Sequence, residues 1–434
     1  MPARLALSDS GFEASFRALL ERRLETAANV AGVVSAILSD VKVRGDDAIV
    51  EYTARFDQLR LEPSQFRISE QECEAAQRQC DAPTLQALEL AAGRIRAYHA
   101  TQTVEDLWYQ DDAGVGLGHR WTSVDAAGLY VPGGSASYPS SVLMNAIPAK
   151  VAGVKRLVMV APTPGGKVSP LVLAAARLAG VDEIYRIGGA QAIAALAFGT
   201  DTIKPVAKIV GPGNAYVAEA KRQVFGVTGI DMIAGPSEIL VVSDSASDPA
   251  WIAADLLSQA EHDAAAQAIL ITDDKDFAER VIAGIDAQLA DLERADTARK
   301  SWREHGAVII VEHLDQAPAL IDRIAPEHLE LAVADPDRLA ARIRHAGAIF
   351  LGRHTPEAIG DYVAGPNHVL PTAGSARFSS GLSVFDFLKR TSLIRCSRAS
   401  LGKIGAEAVR LAEAEGLTGH ARSVALRLGK PSHE

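Results

Sequence analysis

Residues 128–214 contain four short apolar runs that each end in a glycine or proline turn: GLYVPGG (128–134), RLVMVAP (156–162), DEIYRIGG (182–189) and AKIVGPGN (207–214). Two segments between these runs, LVLAAARLAG (171–180) and AQAIAALAFG (190–199), have the length and apolar spacing of helices. Alternation of short strands with helices is typical of a parallel sheet built from βαβ units. This stretch therefore predicts an α/β fold.

A second series of apolar runs, again separated by helical patterns, predicts a second parallel sheet: EILVVSD (238–244), AAQAILITDD (265–274), AVIIVE (307–312) and AIFLG (348–352). We therefore predict two parallel-sheet, Rossmann-like domains with a small N-terminal helical segment and a C-terminal tail. The predicted boundaries are 1–25 for the helical segment, 130–236 for one α/β domain, 26–129 with 237–381 for the other, and 382–434 for the tail.

Composition excludes several classes of protein. Hydrophobic residues make up 48% of the 434 residues and charged residues 23%, which excludes a disordered chain. The formal net charge of −10 argues against a nucleic-acid binder, because such proteins need a basic stripe. No apolar stretch reaches the roughly 18–20 residues that span a bilayer. Only three cysteines occur, without a CxxC pair. We expect a cytoplasmic protein that binds neither nucleic acid nor membrane.

Two parallel sheets suggest a nucleotide ligand, but no phosphate-binding motif is complete. GPGNAY (211–216) has two glycines of the dinucleotide fingerprint and lacks the third, and in PGGKVS (164–169) Val168 follows the lysine where a P-loop has Ser or Thr. VPGGSASYPSS (131–141) suits either a nest of backbone N–H groups for an anion or a tight strand-to-helix turn. The sequence permits a dinucleotide without demonstrating one.

The segment DPAWIAADLLSQAEHD (248–263) predicts a helix whose buried stripe ends in polar side chains. Asp248 suits the N-cap and Pro249 the first turn. Gln259 and His262 are three residues apart and project from nearly one face, but Asp263 lies as close to that face. The segment therefore indicates either a polar site or the locally hydrogen-bonded end of a helix.

Acid–base residues cluster in three further segments. APEHLEL (325–331) places Glu327 beside His328, at what we predict to be a helix start. A carboxylate next to an imidazole supplies two bases of different strength, although the alternative is a first-turn Glu favoured by the helix dipole. GDYVAGPNHVLPT (360–372) and EGLTGH (415–420) contribute four more candidates: Asp361, His368, Glu415 and His420. Gln259, His262, Asp361 and His420 are donors that suit zinc, but their spacing matches no metal motif.

The combined motifs resemble those of the histidinol dehydrogenase family. The resemblance runs from near Ala14 to about Leu428 and rests on six segments: SQAEHD (258–263), APEHLEL, GPNHVLPT (365–372), EGLTGH, IVGPGNAYVAEAK (209–221) and GIDMIAGPSEIL (229–240). It implies oxidation of L-histidinol to L-histidinaldehyde and then to L-histidine, the last two steps of histidine biosynthesis. It also implies two NAD⁺ reduced at one site on a sheet similar to that of aldehyde dehydrogenases, without the glycine fingerprint.

The resemblance also implies a role for each site residue. Glu327 and His328 become the acid–base pair. One zinc per subunit would be bound by Gln259, His262, Asp361 and His420, which resolves the alternative between His262 and Asp263. Substrate would contact these four together with Ser237, His328, His368 and Glu415. NAD would contact Tyr130, Gln191 and Asn214 in the domain at 130–236. The tail at 382–434 would cross to the partner in a homodimer with shared active sites.

Three alternatives remain open at this point. The first is a paralogous zinc- and NAD-dependent dehydrogenase of another amino alcohol or a diol. The second is an aldehyde dehydrogenase that uses Cys396, which lies among arginines able to lower its pKa, as the nucleophile. The third is a non-enzymatic nucleic-acid or scaffold protein that uses the basic run Lys389, Arg390, Arg395, Arg398 and Lys403, although such runs are usually solvated or subunit-contacting.

Overall fold

The computed structural model describes residues 1–21, 30–133 and 138–429 of the chain. GSAS at 134–137 lies outside the described residues. These four residues are the middle of the segment VPGGSASYPSS (131–141), so its two interpretations, an anion-binding nest or a tight strand-to-helix turn, both stay open.

The described residues fall into two compact units: those within 1–102 and 125–387 form the larger unit, and those within 103–124 and 388–434 form the smaller one. The strands are β1 (Ala3–Ala6), β2 (Leu107–Gln110), β3 (Gly116–Ser123), β4 (Ala126–Tyr130), β5 (Arg156–Val160), β6 (Glu183–Tyr185), β7 (Lys208–Val210), β8 (Gly229–Ile230), β9 (Glu238–Ser243), β10 (Gln267–Thr272), β11 (Ala307–Ile310), β12 (His328–Ala332), β13 (Ala348–Leu351) and β14 (Leu388–Arg395).

The helices are α1 (Phe12–Glu21), α2 (Ala31–Arg44), α3 (Asp46–Phe56), α4 (Glu70–Gln77), α5 (Ala82–Ala100), α6 (Pro139–Val151), α7 (Pro170–Ala179), α8 (Gly189–Phe198), α9 (Ala215–Val224), α10 (Pro249–Ala260), α11 (Lys275–Gln288), α12 (Ala295–His305), α13 (Ala317–Ile324), α14 (Pro336–Ala340), α15 (Glu357–Tyr362), α16 (Arg398–Ala414) and α17 (Thr418–Arg427). Among the described residues, none of these helices has the length and apolar character needed to cross a bilayer.

The stretch that predicts the first sheet forms a five-stranded parallel sheet with the order β6-β5-β4-β7-β8. All four predicted strands are present, as β4, β5, β6 and β7. Helices α2 and α3 also pack against this sheet, because Val34, Ile37 and Ile49 share a hydrophobic core with Val158 and Ile209. The predicted boundaries assigned both helices, as part of 26–129, to the domain of the other sheet. Packing between elements that are distant along the chain leaves no periodic signal in the sequence.

The second series of runs forms a six-stranded parallel sheet with the order β1-β11-β10-β9-β12-β13. The predicted strands are β9, β10, β11 and β13, so the two-sheet α/β prediction is confirmed. One edge strand, β1, comes from the N-terminal segment that we expected to be helical, and α1 follows it.

The prediction of a helix start at Glu327 and His328 is wrong, because His328 begins strand β12 between β9 and β13. The residues HLELA alternate, so Leu329 and Leu331 enter a core with Leu240 on one face of the sheet. His328 and Glu330 consequently lie on the opposite face, where Ile239 and Val241 of the neighbouring strand pack against α10. The Pro-Glu pair at 326–327 imitates the first turn of a helix, which misled the sequence interpretation.

The helix predicted at 248–263 is confirmed as α10. Asp248 caps it by accepting a hydrogen bond from the backbone N–H of Ala250 at 2.8 Å, and Pro249 lies in the first turn. Ile252 and Leu256 are buried in the core, and Gln259 is buried on the last turn. The apolar stripe of α10 therefore packs against the six-stranded sheet, and it ends at the last turn of the helix, where Gln259 is polar.

The smaller unit contains an antiparallel sheet of order β14-β3-β2 together with α16 and α17. The predicted tail of loop and helix therefore also contains a strand. Arg390 and Arg395 of the basic run lie on β14, over the rings of Trp121 and Trp108 at 6.0 and 5.1 Å from the ring centroids. The arginines on this strand thus stack on aromatic side chains of their own unit.

Candidate active site

His328 is held in one orientation at the start of β12. Its Nδ1 lies 3.0 Å from the backbone oxygen of Glu238. Because a carbonyl oxygen only accepts hydrogen bonds, Nδ1 carries the proton and Nε2 carries the free electron pair. Burial lowers the pKa of His328 to about 3, and the repulsion that a proton on His368 or His262 would exert on a protonated His328 acts in the same direction. The imidazole is therefore neutral near pH 7 and presents Nε2 as a base.

Glu327 is anchored by the same residue that orients His328. Its Oε2 accepts a hydrogen bond from the backbone N–H of Glu238 at 2.8 Å and lies 3.7 Å from Nδ1 of His328. Both side chains are less than a tenth exposed. The parallel register between β9 and β12, in which His328 is opposite Ile239, sets this arrangement. The backbone of one strand thus fixes both members of the pair.

Helix α15 brings two carboxyl groups to the other side of His328. Glu357 and Asp361 are four residues apart and lie on one face of this helix. Their oxygens are 3.7 and 3.9 Å from Nε2 of His328. Burial raises the pKa of Glu357 to about 8, with the charge of Asp361 as the next cause, and burial raises that of Asp361 to about 6. Ligand oxygens of the two carboxyl groups lie within 4.8 Å of each other. At this separation the pair retains a proton near neutral pH unless a cation is bound between the two groups.

His368 follows α15 and closes the site from a third side. Its Nδ1 donates to the backbone oxygen of Asp361 at 3.0 Å, so its Nε2 accepts from the hydroxyl of Ser141 at 3.3 Å. Ser141 lies on α6, the helix that follows strand β4. Burial lowers the pKa of His368 to about 4. The site therefore has two neutral imidazoles: Nε2 of His368 accepts from Ser141, whereas Nε2 of His328 has no hydrogen-bond partner among the described residues.

The end of α10 contributes the fourth side. Ser258 donates a hydrogen bond to Oε2 of Glu357 at 3.2 Å. Gln259 is 1% exposed, and its Oε1 has no hydrogen-bond partner in the described part of the chain. Asp263 caps its own turn through the N–H of Ala265 at 2.8 Å, whereas the charge of His262 acts on Glu357, His328 and His368. This electrostatic influence on three groups of the cluster favours His262 over Asp263 as a neighbour of the cluster.

The cluster has donors that fit a divalent cation. Ligand atoms of His328, Glu357 and Asp361 lie within 4.8 Å of one another. Within the described ranges, Oε1 of Gln259, Nε2 of His328 and Oε1 of Glu357 are buried without a hydrogen-bond partner. Carboxylate, amide and imidazole donors suit zinc or a similar ion. Of the four ligands that the resemblance implies, Asp361 alone belongs to this geometric group of three.

The three residues expected to contact NAD lie at the carboxyl ends of strands in the five-stranded sheet. Tyr130 ends β4, and its hydroxyl accepts from the N–H of Gly189 at 3.1 Å. Gln191 is on the first turn of α8, with a buried Oε1 that lacks a partner among the described residues. Asn214 follows β7 and caps α9. Nucleotides bind at this edge of open α/β sheets, beside the switch point between β4 and β7.

A buried ion pair shapes the loop in front of Asn214. Lys221 contacts Asp231, and it donates to the backbone oxygen of Gly211 at 2.9 Å. Asp231 accepts from the N–H of Gly211 at 2.8 Å. A side chain is not tolerated at Gly211, because its φ is +110° and a Cβ would lie 2.2 Å from the backbone oxygen of Tyr130. The glycine lets the loop approach β4 closely.

Three remaining candidates lie apart from the contacts described above. Ser237 immediately precedes β9 and is half-buried, and its backbone oxygen accepts from the N–H of Gln267 at 3.0 Å. Glu415, at the C-terminal cap of α16, and His420, on α17, belong to the smaller unit. Both side chains are exposed in this chain.

Comparison with known proteins decides the family. The histidinol dehydrogenase family model matches residues 20–428. The chain belongs to the histidinol dehydrogenase family. It is 64% identical to a histidinol dehydrogenase of Rhodospirillum rubrum over 431 residues, which cover 99% of both chains. It is also 61% identical to that of Rhizobium meliloti over 428 residues, again 99% of both.

A solved structure agrees with this assignment. The histidinol dehydrogenase of Elizabethkingia anophelis is 35% identical, has a TM-score of 0.93, and matches 99% of this chain and 98% of its own. The resemblance stated from the motifs is therefore confirmed, and the chain is an oxidoreductase of this family. Membership over the whole length does not favour the paralogous dehydrogenase or the non-enzymatic alternative.

Sequence reasoning missed several residues of the cluster. Glu357 was detectable, because it lies four residues before Asp361 and a carboxyl pair at that spacing shares a helix face. Ser141 and Glu238 gave no signal, since each reaches the site through strand order and helix packing. Glu330 alternates with Leu329 and Leu331, but this alternation becomes informative only once the segment is recognised as a strand.

Proposed function

We propose that the protein oxidises L-histidinol through L-histidinaldehyde to L-histidine and reduces two NAD⁺ in doing so. The observation that carries this proposal is the orientation of His328 by the backbone of Glu238, which leaves Nε2 as a buried base among donors suited to zinc. Family membership supports the choice of substrate. These are the last two steps of histidine biosynthesis.

His328 is the proton acceptor in both oxidations. Each hydride departs from a carbon whose hydroxyl must lose its proton, and the free electron pair of Nε2 is available to accept it because Nδ1 carries the ring's own proton. The hydrogen bond from Nδ1 to Glu238 becomes stronger when the ring is charged, which stabilises the imidazolium. Burial keeps the ring neutral before each step.

Glu327 serves the water step between the two oxidations. An aldehyde must be hydrated before it loses a second hydride, and a carboxylate beside a histidine is a suitable base for that water. The cysteines do not support a thiol route: Cys73 is buried, Cys80 is partly buried, and Cys396 is exposed in the smaller unit. We therefore disfavour the aldehyde dehydrogenase alternative with Cys396 as the nucleophile.

Zinc and NAD are the cofactors that fit these residues. Gln259, His262, Asp361 and His420 would bind one zinc per subunit, which when bound orients the substrate through its imidazole or amine. NAD⁺, the hydride acceptor, would contact three residues of the other sheet: Tyr130, Gln191 and Asn214. Substrate would also contact three further side chains: Ser237, His368 and Glu415.

We also propose a homodimer in which each tail completes the partner's active site. Among its described residues, the smaller unit exposes eight large apolar side chains, each between 41% and 73% exposed: Leu107, Trp108, Tyr109, Ile394, Ile404, Leu411, Leu417 and Leu426. Such a concentration of exposed apolar surface is typical of an interface. His420 and Glu415 are exposed in the same unit. Three free cysteines suit the reducing cytoplasm, where we place the enzyme.

The yield of NADH tests this function. We expect about two NADH for each L-histidinol consumed, because both hydrides leave the same carbon in turn. L-Histidine should be the only final product by chromatography. Other amino alcohols and diols of similar size serve as controls and should react at least about 100-fold more slowly in kcat/KM. Equal rates with those alcohols, or a yield of one NADH, would contradict the proposal.

Removal of zinc should abolish this activity, and added zinc should restore it. His262→Asn should weaken zinc binding by more than the roughly 10–100-fold that loss of an outer-shell partner costs. Asp263→Asn is the matched control, because its side chain still caps the turn and should leave zinc affinity unchanged. Zinc content is measured by elemental analysis alongside turnover. Full activity in verified metal-free protein would contradict the zinc assignment.

A further inference from the structure

Glu330 is a buried carboxyl group on β12, the strand that begins with His328 of the acid–base pair. It lies two residues after His328 on β12, so both side chains are on the sheet face that packs against α10. The residue is 3% exposed. Its Oε1 accepts a hydrogen bond from the backbone N–H of Glu357 at 2.5 Å. This contact joins strand β12 to the first residue of α15.

The start of α15 lacks a cap of its own. Pro356 occupies the N-cap position, and no side-chain hydrogen bond is made from there. Serine, threonine, aspartate or asparagine would normally accept from the first N–H groups of a helix at this position. Glu330 supplies that acceptor from the neighbouring strand. For a six-residue helix, one such contact is a large part of what holds its N-terminus.

A second carboxyl group keeps Glu330 in place. Asp255 on α10 forms a side-chain hydrogen bond with Glu330. Two carboxyl groups can be joined in this way only if one proton lies between them. The shared proton lets Glu330 stay buried and still offer Oε1 to the N–H of Glu357. Asp255 therefore anchors the acceptor without competing for it.

The rest of α15 packs too closely to compensate for a shift at its start. A Cβ at Gly360 would lie 2.5 Å from the ring of Phe350, so the helix lies directly on β13. Past its C-terminus, Arg94 donates to the backbone oxygens of Val363 and Ala364. With these contacts fixed, the N-terminal contact with Glu330 sets the tilt of the helix.

We infer that Glu330 is a positioning residue that replaces the missing N-cap of α15 and so places Glu357 and Asp361 beside His328. The catalytic consequence rests on the proposed function. The placement itself does not, because it concerns the backbone of α15.

Two substitutions at Glu330 separate the acceptor from the rest of the side chain. Glu330→Gln keeps an oxygen for the N–H of Glu357, and its amide donates to Asp255. We expect nearly wild-type kcat and exchange protection. Glu330→Met has similar length and no strong acceptor. We expect hydrogen–deuterium exchange in the peptide covering α15 to rise at least tenfold, and kcat to fall about 100-fold, as a misplacement near 1 Å can cause.

Control measurements distinguish positioning from loss of fold. Both variants are assayed well below their melting temperatures, and NADH binding, followed by fluorescence, should be unchanged because its site is on the other sheet. Pro356→Ser combined with Glu330→Met restores a cap at the helix itself, and should recover part of both the protection and kcat. If Glu330→Met does not fold, Glu330→Asp, whose shorter stem withdraws the acceptor, takes its place with the same expectations.

Three results would overturn the inference. The first is unchanged exchange in α15 of Glu330→Met, which would show that the contact does not hold the helix. The second is a wild-type kcat in Glu330→Met although hydrogen–deuterium exchange in α15 has risen. The third is equal damage in Glu330→Gln and Glu330→Met. If wild-type protein does not oxidise L-histidinol, the proposed function fails, and the exchange of α15 in Glu330→Met and Glu330→Gln still decides the placement.

Discussion

His328→Asn should reduce both oxidation steps by about 10²–10⁴-fold, the usual contribution of a positioned general base. The asparagine amide can still donate to the backbone oxygen of Glu238, as Nδ1 of the histidine does at 3.0 Å. The substitution therefore preserves the anchor and removes the electron pair of Nε2. Turnover is measured with L-histidinol and separately with supplied L-histidinaldehyde, and we expect both kcat values to fall together.

Glu327→Gln should lower the rate of the second oxidation much more than the rate of the first. The glutamine oxygen can still accept from the N–H of Glu238, but an amide cannot activate water. Oxidation of supplied aldehyde should therefore fall much further than the first hydride transfer, which is measured as the burst of NADH in a single turnover. Equal losses in the two steps would mean that Glu327 positions its neighbours and does not activate water.

A buried histidine elsewhere provides the matched control for His328→Asn. His99 on α5 is fully buried and hydrogen-bonded to Gln102 at 2.9 Å, and it makes none of the contacts described for the active site. His99→Asn should change thermal stability more than kcat. If His99→Asn lowered kcat as much as His328→Asn, loss of packing rather than loss of a base would explain the latter.

The sheets were predictable because their strands are nearly continuous runs of Val, Ile and Leu, as strands buried on both faces require. Strand β12 was not, since its polar His328 and Glu330 interrupt the run and a proline precedes it. Its five residues are nevertheless all buried. Glu238 satisfies Nδ1 of His328, and Asp255 and the N–H of Glu357 satisfy Glu330, so among the polar groups of this strand only Nε2 of His328 is left without a partner in the described part of the chain. A strand that carries the chemistry therefore departs from the pattern of its neighbours.

The candidate site could be proposed from residue types, but its geometry could not be predicted. Glu327 and His328 were singled out from their chemistry, yet their orientation depends on β9 being the neighbour of β12. Glu238 precedes Glu327 by 89 residues, and no local periodicity reports a pairing at that separation. The proposed zinc ligands and NAD contacts were taken from the family resemblance, because Gln259 and Asp361 fit no spacing rule.

Subunit exchange should restore activity to a mixture of two inactive variants, His328→Asn and His420→Asn. His328 lies in the larger unit and His420 in the smaller one. If each active site combines the larger unit of one subunit with the tail of its partner, a hybrid dimer has one site with both lesions and one with neither. Each hybrid should then have about half the activity of a wild-type dimer.

A second mixture provides the control for this experiment. His328→Asn and Asp361→Asn both change the larger unit, so a hybrid of these two variants has one lesion in every site and should remain inactive. Exchange is confirmed in both mixtures by native mass spectrometry of differently tagged subunits. Recovery in the first mixture alone locates His420 in the partner's site. If both mixtures stay inactive although hybrids are present, each site is built within one chain, and the tail serves another purpose than completing the partner's zinc site.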